Sequence, residues 1–143
     1  MIHGSVFLND SRTLVTGDNA GRVVVWDIEH GNIISSWQAH PSGIRAVALA
    51  PDGRTLATGG YEKAVTLWHT ATWRSMLTIN NPAEVMALAF SHDGQILAIG
   101  GGAGELGGGA ADGNFCITRL WRAPSLEETN QQRTRAQPGR KPQ

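Results

Sequence analysis

The chain is poor in the groups that staple, span or polarise a protein. Cys116 is its one cysteine, so neither an intrachain disulfide nor a site of several thiolates can form, and a reducing, cytoplasmic setting is the expectation. No run approaches the ~18 apolar residues of a membrane span. Met1 to Asp10 carries no basic stretch ahead of a long apolar core, so neither an anchor nor a leader is expected. An excess of charge is missing too: twelve Lys and Arg offset twelve Asp and Glu. That removes the long-range field that would draw the whole molecule to nucleic acid or an anionic membrane, and neither is an expected partner. Phe and Tyr are scarce, at three and one.

Glycine and tryptophan are abundant instead, at eighteen and five in 143 residues. Many glycines imply many tight turns, and so many tryptophans in a short chain imply a repeated structural position. Shifting the sequence against itself finds the repeat. Asn9 to Trp26 laid on Pro51 to Trp68, an offset of 42, gives eight identities in eighteen positions, among them Leu14/Leu56, Thr16/Thr58, Gly17/Gly59 and Trp26/Trp68. Average residue usage predicts about one. Ile44 to Gly60 laid on Val85 to Gly101, an offset of 41, gives eight more in seventeen, including Asp52/Asp93, Gly53/Gly94 and Leu56/Leu97.

Each unit reads as four short strands. In the second, Ile44 to Ala50 alternates apolar inward positions, Pro51-Asp52-Gly53-Arg54 turns the chain, and Thr55 to Gly59 returns. Lys63 to Trp68 and Arg74 to Ile79 follow, rich in the β-branched and aromatic residues that suit a pleated surface. The turn chemistry agrees: Pro presets φ, Asp bonds the backbone ahead of it, and Gly accepts a positive φ. No helical periodicity competes.

The spacing of about 40 residues, the Pro-Asp-Gly turn, the Leu-Ala-Thr-Gly run at Leu56 and the terminal Trp26-Asp27 together resemble WD40 repeats, over about Ile2 to Trp121. The resemblance implies an all-β fold of WD40-like β-propeller blades, three four-stranded antiparallel blades in an incomplete ring. They occupy 2–129 as units 2–37, 44–79 and 85–129, with a poor fourth-strand candidate at 125–129. A disordered basic tail is expected over 130–143.

In that family a buried network links a His ahead of the first strand, a Ser or Thr on the second, an Asp in the next turn, and the Trp. The matching residues of the second unit are His40, Thr58, Glu62 and Trp68. Glu62 departs from the family's Asp, and its extra methylene is expected to disturb the geometry. The first unit keeps Thr16 and Trp26 but has Ala20 at the acidic position, and the third has Asn81 for His and Ile99 for Thr, so neither can complete the network.

Closed propellers carry ~4 to 8 blades, and three leave two apolar faces uncovered. Missing blades of a longer chain, or a second copy making six, are the expected cover.

The function expected is a protein- or peptide-binding scaffold, not an enzyme. The loops before each first strand and between second and third strands share one rim, where Arg45, Tyr61, Lys63 and Glu84 are the candidate contacts. Trp73, out of repeat register near a turn of the opposite rim, is a candidate for a second contact; Trp37 is expected to pack in a fourth strand. The alternatives are a ligand-binding or hydrolytic propeller completed by other blades, and a truncated remnant without activity of its own.

Little supports catalysis. The first-strand positions expected to face a central channel, Val47, Leu49, Leu88 and Phe90 or their small neighbours, supply no carboxylate cluster, and no Ser-His-acid constellation stands out. His3, His30, His40, His69 and His92 lack metal-ligand spacing, so no metal is expected. Gly102 to Gly107 has the glycine spacing of a dinucleotide loop but leads into a strand-like segment, Phe115 to Trp121, so no cofactor is expected either. It reads as part of a glycine-rich insertion over 100–113, since Trp68 and Trp121 lie 53 apart, eleven beyond the repeat.

Overall fold

The computed structural model describes residues 1–102 and 116–122. The 103–113 part of the expected insertion, the fourth-strand candidate 125–129 and the tail 130–143 lie outside the described residues.

Alternation of apolar and polar side chains between tight turns produces strands throughout the described chain. The first sheet holds β1 (Ile2–Phe7), β2 (Thr13–Asp18), β3 (Arg22–Asp27) and β4 (Asn32–Gln38). The second holds β5 (Ile44–Leu49), β6 (Thr55–Gly60), β7 (Ala64–His69) and β8 (Arg74–Asn80). The third holds β9 (Glu84–Phe90), β10 (Ile96–Gly102) and β11 (Cys116–Arg122). Every sheet is an antiparallel meander of sequential neighbours. Registers repeat as well: Leu14 faces Trp26, Leu56 faces Trp68 and Leu97 faces Trp121. Even the irregularities recur, with register shifts at Ile2/Gly4, Ile44/Ala46 and Gly100/Gly101, which add local twist.

Aspartate organises the turn between first and second strands. The Asp10 carboxylate accepts from the backbone N–H of Arg12 and Thr13, Asp52 from that of Arg54, and Asp93 from that of Gln95. The next residue lies at positive φ in each case: Ser11 at 55°, Gly53 at 71° and Gly94 at 71°.

The sheets stack face to face, with β1 beside β5 and β5 beside β9. Between the first and second, Val15, Val23 and Val25 meet Ile44, Leu56 and Trp68. Between the second and third, Ala57, Val65 and Leu67 meet Val85, Leu97 and Ile99. Both interfaces share one fitting. A methyl group on Gly17 would fall 2.5 Å from Ile44 Cγ2, and one on Gly59 would fall 2.8 Å from Val85 Cγ1. The repeated glycine is therefore the hole into which the next sheet's opening side chain inserts. Filling such holes with fully buried Ile or Val stabilises by about 1.5–3 kcal/mol per side chain. Three sheets in this arc do not close a ring among the described residues.

Three expectations need correction. Val47 and Leu49 do not face a channel: they pack against the first sheet, and Leu88 and Phe90 pack against the second, because alternate residues of an inner strand face neighbouring sheets. Gly100 to Gly102 are not insertion but the end of β10, paired with Thr118, Ile117 and Cys116. Trp73 is not a free contact. It is half-buried, with its ring centroid 5.4 Å from that of Trp37. Trp37 lies 5.4 Å from Trp68 in turn, so three mutually tilted indoles pack together across the first and second sheets.

Candidate functional site

Two groups of polar side chains are assembled by the second sheet. The first is buried. His40 precedes β5, Thr58 lies on β6, Glu62 sits in the β6–β7 turn and Trp68 lies on β7, and the sheet register gathers all four. The His40 ring bonds the Glu62 carboxylate through Nδ1 and the Thr58 hydroxyl through Nε2, the latter at 2.6 Å. Trp68 Nε1 donates to the same hydroxyl at 2.8 Å. The carboxylate on Nδ1 orients the ring, and the threonine oxygen is shared between ring and indole. Glu62 reaches the histidine in spite of its added methylene. These links tie a loop, a strand, a turn and a second strand into one unit.

The other two repeats hold only parts of this. Trp26 Nε1 donates to Thr16 Oγ1 at 3.0 Å, while Asn81 donates from Nδ2 to the Ala83 carbonyl at 2.8 Å and Ile99 is buried where Thr58 stands.

The second group is on the rim above it. Arg45 on β5 donates from its guanidinium to the Tyr61 hydroxyl and lies 4.9 Å from the ring centroid, a cation–π distance. Gly43 supplies the seat: a methyl group there would come within 3.1 Å of the Tyr61 ring. Tyr61 is still 37% exposed. Lys63 and Glu84 do not join this pair. Lys63 is exposed at φ 58°, and Glu84 is half-buried at the start of β9.

Sequence reading missed one cluster. Arg12 bonds Asp27 at 3.0 Å and Glu29 at 2.9 Å, and His30 Nδ1 lies 3.0 Å from Asp27. The Arg12 guanidinium, then His30, holds the Asp27 carboxyl far below its ordinary range. Asp27, Glu29 and His30 could offer ligand atoms to a cation, but Arg12 already occupies both carboxylates as their ion-pair partner. Only the Trp-Asp ending of the repeat hinted at this corner.

Meandering sheets stacked through a repeated glycine hole, with a Trp–Thr bond in the first two, define a β-propeller-type repeat protein. Residues 31–69 match the profile "WD domain, G-beta repeat", a span from the first sheet's last strand through the whole His40–Trp68 network. The chain belongs to the WD40-repeat family.

It is 34% identical over 126 residues to telomerase protein component 1 of Mus musculus, covering 86% of this chain and 5% of that protein. It is 26% identical over 91 residues to protein groucho of Drosophila melanogaster, covering 64% and 12%. The solved structure of U3-55K superposes with a TM-score of 0.67 at 21% identity, over 69% of this chain and 32% of that one, and shares the fold. The chain thus spans a small part of each relative's length.

Proposed function

We propose that the chain is a non-catalytic protein-interaction scaffold, and that it recognises a peptide or loop of another protein at the rim carrying Arg45 and Tyr61. The Arg45–Tyr61 pair carries this reading. Its members are fixed by a strand, a tight turn and the Gly43 seat, so little side-chain freedom remains to be lost on binding. Arg45 donates one N–H to the Tyr61 oxygen, which leaves the phenolic O–H and the other guanidinium N–H groups as donors for a partner. Exposed Lys63 adds a cation on the same rim. Such a surface suits a segment rich in carbonyl or carboxylate acceptors. The mouse relative is, by name, a protein component of telomerase, which is consistent with work inside an assembly. Among the described residues no helix is long and apolar enough to cross a membrane, and the single cysteine suits the cytoplasmic setting that belongs to this proposal.

The test is selection of peptides from a displayed library against the wild-type chain, followed by titration of the winners. Replacing Arg45 and Tyr61 together with Ala should weaken their binding by roughly tenfold or more. Selected peptides that bind the double variant as well as wild type would remove the rim from the mechanism.

A further inference from the structure

The two outer faces of the stack are complementary to each other. The second and third sheets each turn toward the sheet before them a bulky set, which begins with the side chain that enters the glycine hole: Ile44 with Leu49 and Leu56, and Val85 with Phe90 and Leu97. In the first sheet the same register positions are Ile2, Phe7 and Leu14. Among the described residues they meet no other sheet, and Ile2 and Phe7 are 57% and 51% exposed.

The receiving faces show the reverse. The first and second sheets offer Gly17 with Val25, and Gly59 with Leu67, where Val25 is fully buried and Leu67 nearly so. The third sheet offers Gly100 and Leu120 at those register positions. A methyl group on Gly100 would meet only Ala87 of its own sheet, at 3.4 Å, so the hole is open. Leu120 is 66% exposed. One end of the stack therefore presents the inserting side chain and the other an empty receptacle of the same pattern.

We infer that the occupant of each face is a second copy of this chain: the first sheet of one copy packs on the third sheet of the other, and the reverse contact forms at the same time. Ile2 enters the partner's hole as Ile44 enters Gly17 and Val85 enters Gly59. Two copies give six sheets, within the ~4 to 8 that close propeller rings, and a twofold axis repeats the contact so that no apolar face is left over. A second copy is favoured because it supplies both faces in the register that the chain already uses twice. The contact uses neither Arg45 nor Tyr61, so it goes beyond the rim reading and fails independently of it.

The experiment is sedimentation equilibrium of the full chain over a wide concentration range, with far-UV circular dichroism on the same samples. Wild type should be strand-rich and weigh twice the chain mass. Phe7→Glu and Leu120→Glu each block one face at an exposed position, and each alone should give a folded monomer. Mixed in equal amounts they should recover a dimer, because each retains the face the other has lost. That dimer should be more than tenfold weaker than wild type, since one contact of two remains. If Leu120→Glu fails to fold, Gly100→Val, which fills the hole on the same face with a strand-favouring side chain, replaces it; if Phe7→Glu fails, Ile2→Glu, at an exposed position of the first sheet, replaces it. A folded wild-type monomer, an unfolded chain, a mass that grows without limit, or a single-face variant that stays dimeric would each overturn the inference. Peptide binding that survives the loss of dimer would leave the rim reading intact.

Discussion

Among the described residues three other than glycine adopt positive φ, Ser11, Lys63 and Trp73, and each stands where a sister repeat has glycine: Gly53 and Gly94, Gly21, and Gly31. A side chain in that conformation costs about 1–2 kcal/mol, against which glycine's extra unfolded freedom costs about 0.5–1. Ser11→Gly and Lys63→Gly should therefore each raise stability by roughly 0.5–1 kcal/mol in thermal denaturation, because neither side chain packs. Trp73→Gly should lower it, since the indole is stacked on Trp37. The buried network makes a sharper contrast. Thr58→Val strands the Trp68 N–H and the His40 ring nitrogen together, so it should cost about 1–3 kcal/mol in chemical denaturation. Thr16→Val affects one indole that is only half-buried, and should cost less.

Acid will act on the turn aspartates. Hydrogen bonds from Thr13 hold Asp10 below 3.8, the Ser91 hydroxyl does the same for Asp93, and Arg12 for Asp27. A carboxyl whose folded pKa lies below its unfolded value adds stability above that value and loses it as pH falls. The melting temperature should thus hold from neutral pH toward 3.8 and drop below it. Asp10→Asn should flatten the drop when melting is followed across that range.

At the scale of the strand, the glycine holes predict an ordering. Gly17→Ala and Gly59→Ala force Ile44 or Val85 aside and should destabilise by about 1–3 kcal/mol. Gly100→Ala meets no neighbouring sheet, and should be nearly neutral in the isolated monomer when the three are compared by urea unfolding. Strand identity and pairing were legible in the sequence because period-two alternation and the Asp-Gly turns are local signals. Which sheet each face meets was not. Val47 and Leu49 read simply as inward, and only the stacking shows that inward means toward the preceding sheet. Trp73 escaped for the same reason: its partner Trp37 is 36 residues away and outside the repeat register.

For the whole molecule, repetition made the architecture readable: one pattern seen at two offsets defines a stack. Of the candidate site, His40, Thr58, Glu62 and Trp68 could be named through the resemblance to WD40 repeats, which implies such a network at those repeat positions. The pairing of Arg45 with Tyr61 could not, because it depends on the Gly43 seat beneath the ring. Nor could the complementarity of the end faces, which needs the orientation of every side chain on β1 and β11.

The indole stack has an optical consequence. Trp37 belongs to the first sheet, Trp68 to the second and Trp73 to the turn that joins β7 to β8 of the second, with neighbouring centroids 5.4 Å apart. Aromatic rings that close couple their excited states, so their joint near-ultraviolet dichroism exists only while the two sheets are docked. Trp26 and Trp121 lie outside the stack and report their own sheets. The chain thus contains an unlabelled gauge of sheet docking, able to separate parting of the first two sheets from loss of strand structure within either one.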